Sequence, residues 1–150
     1  MSMDLDHWIT DGSIKIHQPS RPEIHRLLAV ADRDLKDAVI GGLSVDRRFA
    51  TAYAAALQLA TVVLRASGYR ASSNTGGHHW RTISLLPALM GAQQQPRKVY
   101  LDSCRRARNE ADYDRIGVAS EAELLELLED TLEFRNEVIA WLREEHPELS

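Results

Sequence analysis

Apolar residues recur about every 3.6 residues along most of this chain, and this spacing limits the fold more than any other feature. Residues 24–39, 49–64, 99–111 and 124–142 each place apolar side chains on one face of a helix. No run of alternating apolar and polar residues is flanked by a hairpin turn such as Asn-Gly. The sequence therefore predicts an all-α protein.

Start and stop signals divide the pattern into about five helices. Ser20 with Glu23, and Ser120 with Glu123, have the spacing of capping boxes, and Gly41 marks a helix end. The predicted helices run from Ser20 to Gly41, from Ser44 to about Ser67, from His78 to Gly91 with a break near Pro87, from Pro96 to the segment DRIGVA at 114–119, and from Ser120 to about Glu145. Short loops join them, so an up-and-down bundle is expected, with a polar connection at 69–77.

Two of these helices have special surfaces. The second is rich in alanine at 50, 52, 54, 55, 56 and 60, so other helices can approach it closely, and we place it at the centre of the bundle. The last helix carries apolar residues over an arc of roughly 200°. Such a wide arc predicts contact with several bundle helices, or with the bundle on one side and a second subunit on the other.

The length of 150 residues fits a single domain, with an extension at 1–19 and a core at about 20–146. No segment approaches the run of about 20 apolar residues that spans a membrane, and the start MSMDLDHW does not resemble a secretory signal. A cytoplasmic protein without a membrane anchor is expected. Cys104 is the single cysteine, which excludes an internal disulfide and a multi-cysteine zinc site. No metal site and no cofactor are predicted.

Charge is unevenly distributed along the chain, whose net charge is −4. The segment from Glu121 to Glu148 holds ten acidic residues, whereas basic residues cluster elsewhere. Alternating helix directions predict one pole that collects the end of the second helix, the start of the third and the end of the fourth. Its members would be Arg65, Tyr69, Arg70, His78, His79, Arg81 and the segment from Arg105 to Tyr113. An anion is the expected ligand there.

The segment RRARNEADY, from Arg105 to Tyr113, is the most distinctive part of this pole. Arg108 lies four residues after Cys104, on the apolar side of its helix, so it needs a partner. That partner could be Asp112 at i+4, an acid of the last helix, or a ligand. Arg105 and Arg106 have the positions of solvated surface charges, and their alternative role is to attract anions.

Arg108, Asn109 and Tyr113, near the end of a bundle helix and followed by a loop and a long last helix, resemble the motif of HEPN domains. That family has all-α, usually dimeric bundles, with an Arg, often a polar residue next, and a His after four to six intervening residues. Here Tyr113 stands where the His is expected. The resemblance implies RNA or nucleotide binding, or metal-independent RNA cleavage, often within a toxin–antitoxin pair or a defence system. It also implies a homodimer and a cognate antitoxin or nucleotidyltransferase partner.

Residue chemistry assigns roles within that resemblance. Arg108 suits phosphate neutralisation, because its guanidinium fork matches phosphate geometry. Tyr113 is a poor proton acceptor near neutrality, since a phenol has a pKa of about 10. His79, or His78, could supply the missing imidazole. The expected phosphate-binding set is Arg105, Arg108, Asn109, His78 and His79, and the expected catalytic set is Arg108, Tyr113 and His79.

Three functions therefore remain open at this stage. The chain could be an RNA- or nucleotide-binding module without turnover, which fits the motif as written. It could be an active metal-independent endoribonuclease. It could also be a dimeric adaptor in which Arg108 belongs to a buried ion-pair network and no open cleft lies beside it.

Overall fold

The structure is a computed structural model that describes residues 3–73, 77–113 and 119–150, with the backbone alone at residue 3 and residues 109–113. The helices are α1 (Met3–Thr10), α2 (Arg21–Asp37), α3 (Val45–Ala66), α4 (His78–Ser84), α5 (Leu86–Met90), α6 (Gln95–Tyr113) and α7 (Glu121–Glu145). Two short strands, β1 (Ile14–Ile16) and β2 (Tyr69–Ala71), and a 3₁₀ turn at Ala92–Gln94 complete the described elements. The prediction of an all-α bundle is confirmed.

Serine caps start the long helices where the sequence predicts them. The hydroxyl of Ser44 accepts a hydrogen bond from the Arg47 amide, and Ser120 and Glu123 form a complete capping box at α7. At α2, the Ser20 hydroxyl accepts the Glu23 amide, but the Glu23 carboxylate binds His17 and Arg65. Glu23 therefore ties the N-terminal segment and α3 to the start of α2.

Helix α3 is the central element, and it packs against α2, α4, α6 and α7. Its alanines at 52, 55, 56 and 60 are buried, which lets the other helices approach its backbone closely. By length and composition alone, α3 could cross a membrane, with a mean hydropathy of 1.4 in its most apolar window, contrary to the expectation that no segment would qualify. Its apolar residues instead form the core of the bundle.

The long helices alternate in direction. Arg65 near the end of α3 binds Glu23 at the start of α2, and Arg48 at the other end of α3 donates to the Ala38 carbonyl at 2.8 Å. The Ala119 amide, just before α7, donates to Asp46 at the start of α3. Helices α2 and α3 are therefore antiparallel, whereas α3 and α7 run parallel.

The third predicted helix is two short helices, α4 and α5, which do not traverse the bundle. Pro87 lies in the first turn of α5, where a proline ring is tolerated and the preceding helix ends. Because this segment adds no full traverse, the end of α3 lies at the opposite pole from the end of α6. Tyr69 accordingly lines a cavity with Trp141 and His146 at the end of α7. The prediction that Arg65, Tyr69 and Arg70 share a pole with the end of α6 is wrong, whereas α4 does contact β2.

A small antiparallel sheet connects the N-terminal segment to the bundle. β1 pairs with β2 with Lys15 opposite Arg70, and the His17 and Ser72 amides extend the pairing by donating to Gly68 and Ser13. Leu5 and Ile14 are buried against Leu64 and Leu85. The connection predicted at 69–77 is thus a strand at its start, because its backbone finds hydrogen-bond partners in residues 13–17.

The apolar arc of α7 is only partly covered. Leu124, Leu127, Phe134 and Val138 are buried, but Leu125 and Leu132 remain 55% and 51% exposed. These two leucines are seven residues apart and lie on one side of the helix. The wide arc was expected to reflect contact with several bundle helices, or with the bundle on one side and a second subunit on the other. Contact with several bundle helices does not account for Leu125 and Leu132.

Because the helices pack closely around α3, the effect of a larger side chain on the free energy of unfolding should depend strongly on its position in this helix. Ala56→Leu, at a fully buried site, should lower the free energy of unfolding by about 1–3 kcal/mol, because the surrounding helices must move apart. Ala54→Leu, at a half-buried site of the same helix, should cost less than about 1 kcal/mol. Urea unfolding of both variants measures the difference, and equal losses would contradict the central position of this face.

Candidate functional site

Histidine and arginine side chains meet where α4 begins beside the second half of α6. His78, His79 and Trp80 of α4, with Arg105 and Arg108 of α6, are called the basic patch below. A cavity of about 140 Å³ lies within it, lined by Gly77, His78, His79, Trp80 and Arg105. The structure thus brings both predicted histidines to the predicted arginine helix, and this part of the shared pole is confirmed.

The histidines are held in contact with each other. Their ring centroids are 4.3 Å apart in an edge-to-face arrangement, and both side chains are half-buried. Burial lowers the pKa of His79, and the neighbouring charges of His78, Arg108 and Arg105 lower it further. Because an unperturbed imidazole titrates near 6.5, His79 is mainly neutral at pH 7 and can accept a proton.

The arginines of α6 differ in their surroundings. Arg105 is 28% exposed and binds the Asp102 carboxylate through Nε at 3.0 Å and Nη2 at 2.9 Å. Arg106 is 65% exposed and lies 3.7 Å from the same carboxylate. The prediction of a solvated surface charge therefore holds for Arg106, whereas Arg105 lines the cavity.

Arg108 is half-buried, and its charge acts on His79, which places it in the basic patch. The side chains of Asn109 and Tyr113 lie outside the described residues, as does the predicted pairing of Arg108 with Asp112. Their proposed roles in phosphate binding and catalysis stay predictions.

An aromatic side chain borders the cavity on its outer side. Trp80 is 37% exposed, and the ammonium group of Lys98 lies 5.8 Å from its ring centroid. This separation is within the range of a cation–π contact. An exposed indole beside basic groups is the combination that proteins use to stack a nucleic-acid base next to a bound phosphate.

Tyr53 of α3 is a core residue, as its place in the apolar stripe of that helix predicts. It is 2% exposed, and its hydroxyl has no hydrogen-bond partner among the described residues. Burial raises the pKa of Tyr53, with smaller opposing effects from the positive charges of Arg105 and Arg108. A tyrosine within an apolar stripe gives no sequence signal of such a neighbourhood.

Arg97 is a residue that the sequence analysis missed. Its guanidinium donates to Asp130 and Glu137 of α7 at 2.8–3.3 Å and to Gln94 at 2.9 Å, and it lies 4.8 Å from the Phe134 ring centroid. Only 8% of its side chain is exposed. Arg97 precedes Leu101 by four residues, and this spacing would have placed it on the buried face. Arg97 joins α6 to α7.

Two larger cavities differ from the basic patch in charge. One of about 620 Å³, at the opposite pole, is lined mainly by apolar residues, with Tyr69, Glu145 and His146 as its titratable groups. One of about 370 Å³ lies beside Arg97 and exposes Glu126, Asp130, Glu133 and Glu137. Neither favours an anion, because carboxylates dominate their charge. Within the described ranges, no group of three or more His, Cys, Asp or Glu side chains could hold a metal ion.

Comparisons with protein-family models, with curated proteins and with solved structures found no match for this chain.

The ion pairs of α7 predict how stability depends on pH. Burial raises the pKa of Glu137, but hydrogen bonds from Arg97 and Gln94 outweigh it and hold the pKa below its ordinary value of 4.5. As the pH falls, Glu137 therefore takes up its proton at a higher pH in the unfolded chain than in the folded protein. Its contribution to stability is complete above about pH 4.5 and is lost as the pH falls through the lower folded value.

Glu137→Gln should therefore make the acid side of the stability–pH curve shallower and cost roughly 1 kcal/mol at pH 7, a value reduced for solvent screening. Glu133→Gln is the matched control, since Glu133 is 71% exposed and 3.7 Å from Arg97. Thermal unfolding between pH 3 and 7 measures both. Identical curves for Glu137→Gln and the wild type would show that this carboxylate does not bind Arg97 in solution.

Proposed function

We propose that the protein binds single-stranded RNA, or a nucleotide, through a phosphate group held in the basic patch. The observation that carries this proposal is the cavity of about 140 Å³ lined by His78, His79, Trp80 and Arg105. It combines imidazole and guanidinium donors with an exposed indole. Phosphate and a stacked base are the ligand groups that fit these partners.

The size of the cavity limits how the ligand lies. Small-molecule pockets usually enclose about 300–1,000 Å³, so this cavity is too small to enclose a whole nucleotide. It has room for one phosphate group with a few waters. The attached base then lies outside, against Trp80, while Lys98 and Arg108 provide further positive charge nearby.

Asp102 competes with the ligand for Arg105. In the free protein its carboxylate occupies the guanidinium fork that a phosphate would use. Arg105 can bind phosphate only by giving up this ion pair, whose arginine and aspartate side chains are 28% and 17% exposed. Removal of the Asp102 charge should therefore strengthen phosphate binding.

Metal-independent RNA cleavage is a second candidate, favoured by the state of His79. A neutral imidazole beside two arginines can accept the proton of a 2′-hydroxyl as that oxygen attacks the adjacent phosphodiester. The guanidinium groups then stabilise the negative charge on the oxygens of the phosphorane. The P–O5′ bond breaks as the 5′ oxygen leaves and takes a proton from the imidazolium or from water, which gives a 2′,3′-cyclic phosphate. This reaction needs neither Tyr113 nor a metal ion.

The binding proposal predicts that neighbouring arginines behave differently. Arg105→Ala should weaken binding of a labelled single-stranded oligoribonucleotide about tenfold or more, because a charge-assisted hydrogen bond to phosphate is lost. Arg106→Ala removes the same charge from an exposed site and should change affinity less than about threefold. Asp102→Asn should increase affinity. Fluorescence anisotropy at fixed salt measures all three.

Equal losses for Arg105→Ala and Arg106→Ala would show diffuse electrostatic attraction and would contradict a phosphate site in the cavity. The same RNA, incubated in EDTA and examined for 2′,3′-cyclic phosphate ends, tests cleavage. Cleavage lost in His79→Ala would establish the second candidate. Intact RNA together with tight binding would leave the binding module. No binding at all would favour the dimeric adaptor.

We further propose that the protein is a homodimer, with the exposed leucines of α7 in the interface. Leu125 and Leu132 provide a face that the bundle itself does not cover. The HEPN resemblance is the sole support for a toxin–antitoxin or defence role and for an antitoxin or nucleotidyltransferase partner.

Leu132→Lys should convert a dimer to a monomer, because a buried unpaired ammonium group opposes association. Val99→Lys on α6 is the control, since Val99 is 59% exposed and lies on another helix. Sedimentation velocity gives the mass of each variant. A monomeric wild-type protein, or a Leu132→Lys dimer, would reject this interface.

A further inference from the structure

The cavity of about 620 Å³ lies at the pole where α3 and α7 end, and the RNA-binding proposal does not use it. It is lined by residues of α1, β2 and α5 and by the C-terminal ends of α3 and α7. Small-molecule sites usually have volumes of about 300–1,000 Å³, and in helical bundles they lie between helices. This cavity therefore has the size and the position of a ligand site.

Aromatic and flexible apolar side chains form much of the cavity wall. Trp141 and His146 are in edge-to-face contact, with ring centroids 4.8 Å apart, and Tyr69 adds a third ring. Trp141 and Tyr69 are half-buried, so part of each side chain remains open to a ligand. Met90 also lines the cavity, and its unbranched side chain can adapt to the shape of what it contacts. Such a wall suits a ligand with an apolar body.

The charge around this cavity is negative. Glu145 contributes a carboxylate, and among the described residues no lysine or arginine lines the cavity. His146 lies 3.7 Å from the carboxylate of Glu148, which balances a charge on the imidazole. Ser67 and His146 are the C-cap residues of α3 and α7, so the partial negative charges at the ends of two long parallel helices fall beside the cavity. A cation is therefore favoured there over an anion.

We propose that this cavity binds a small organic cation, in which an amine or quaternary ammonium group is attached to an apolar body. Cations bind the faces of indole and phenol rings, which Trp141 and Tyr69 supply. Glu145 provides the opposite charge, and Leu89 and Met90 contact the apolar body. This ligand is opposite in charge to the ligand of the basic patch, so the two sites are independent.

Benzyltrimethylammonium tests this proposal, because it joins a permanent positive charge to an apolar ring. Benzyl alcohol and phenylacetate are uncharged and anionic probes of similar size. Isothermal titration calorimetry of the full chain, at fixed pH and salt, should show that the cation binds about threefold or more tightly than the alcohol and that phenylacetate binds most weakly. Equal affinities for the three probes, or no binding of the cation, would overturn the proposal.

Trp141→Leu separates recognition of the charge from the apolar character of the cavity. It keeps an apolar side chain but removes the aromatic face, so the affinity for benzyltrimethylammonium should fall about fivefold or more. The affinity for benzyl alcohol should change less, since this probe has no charge to place over the ring. Equal losses for both probes would show that Trp141 is only part of the apolar wall, and would reject a cation site.

Glu145→Gln is a second variant, at an exposed position where the substitution does not disturb packing. It should weaken binding of benzyltrimethylammonium about two- to threefold and leave benzyl alcohol unaffected. Glu144→Gln is the matched control, since Glu144 is also exposed but does not line the cavity. Equal losses for the two glutamates would reveal a diffuse attraction to the acidic end of α7 and would overturn a specific site. The RNA experiments test the basic patch alone, so their failure leaves this proposal unaffected.

Discussion

Small side chains on α3 are the constraint on which the rest of this structure depends. Ala52, Ala55, Ala56 and Ala60 are buried, and α2, α4, α6 and α7 all pack against this helix. Bulky residues at these sites would move the surrounding helices outward. The distance between α4 and α6, and with it the width of the cavity between His79 and Arg105, follows from how closely both approach α3.

Ion pairs then fix the relative directions of the helices, which the buried alanines of α3 do not determine. A buried alanine face allows close approach, but it does not determine how helices are ordered around it. Glu23 binds Arg65 where α2 and α3 meet, Asp32 binds Arg135 between α2 and α7, and Arg97 joins α6 to α7. Each pair would be lost if one helix were reversed. These three ion pairs therefore help to hold the bundle together.

Local signals predicted the helices well, and nonlocal contacts account for what was missed. Periodicity and the caps at Ser44 and Ser120 located α3 and α7 to within a residue, because these signals act within one or two helical turns. The grouping of Tyr69 with the end of α6 failed, since it assumed that residues 78–91 traverse the bundle. The meeting of His79 with Arg105 was predicted. The unpaired hydroxyl of Tyr53 could not be, because it depends on packing between α3 and α6.

The acidity of α7 also affects how the molecule meets a polyanion. Glu126, Asp130, Glu133 and Glu137 lie along its side toward α6, where Arg97 balances only part of their charge, whereas the basic patch lies at the start of α4. The acidic side of α7 and the basic patch are therefore separate surfaces of opposite charge. In the proposed binding mode, a strand of phosphates is repelled from α7 and turned toward α4 before any contact forms. The negative charge of α7 therefore helps to orient an approaching polyanion. Added salt weakens this long-range repulsion before it weakens direct contacts in the basic patch.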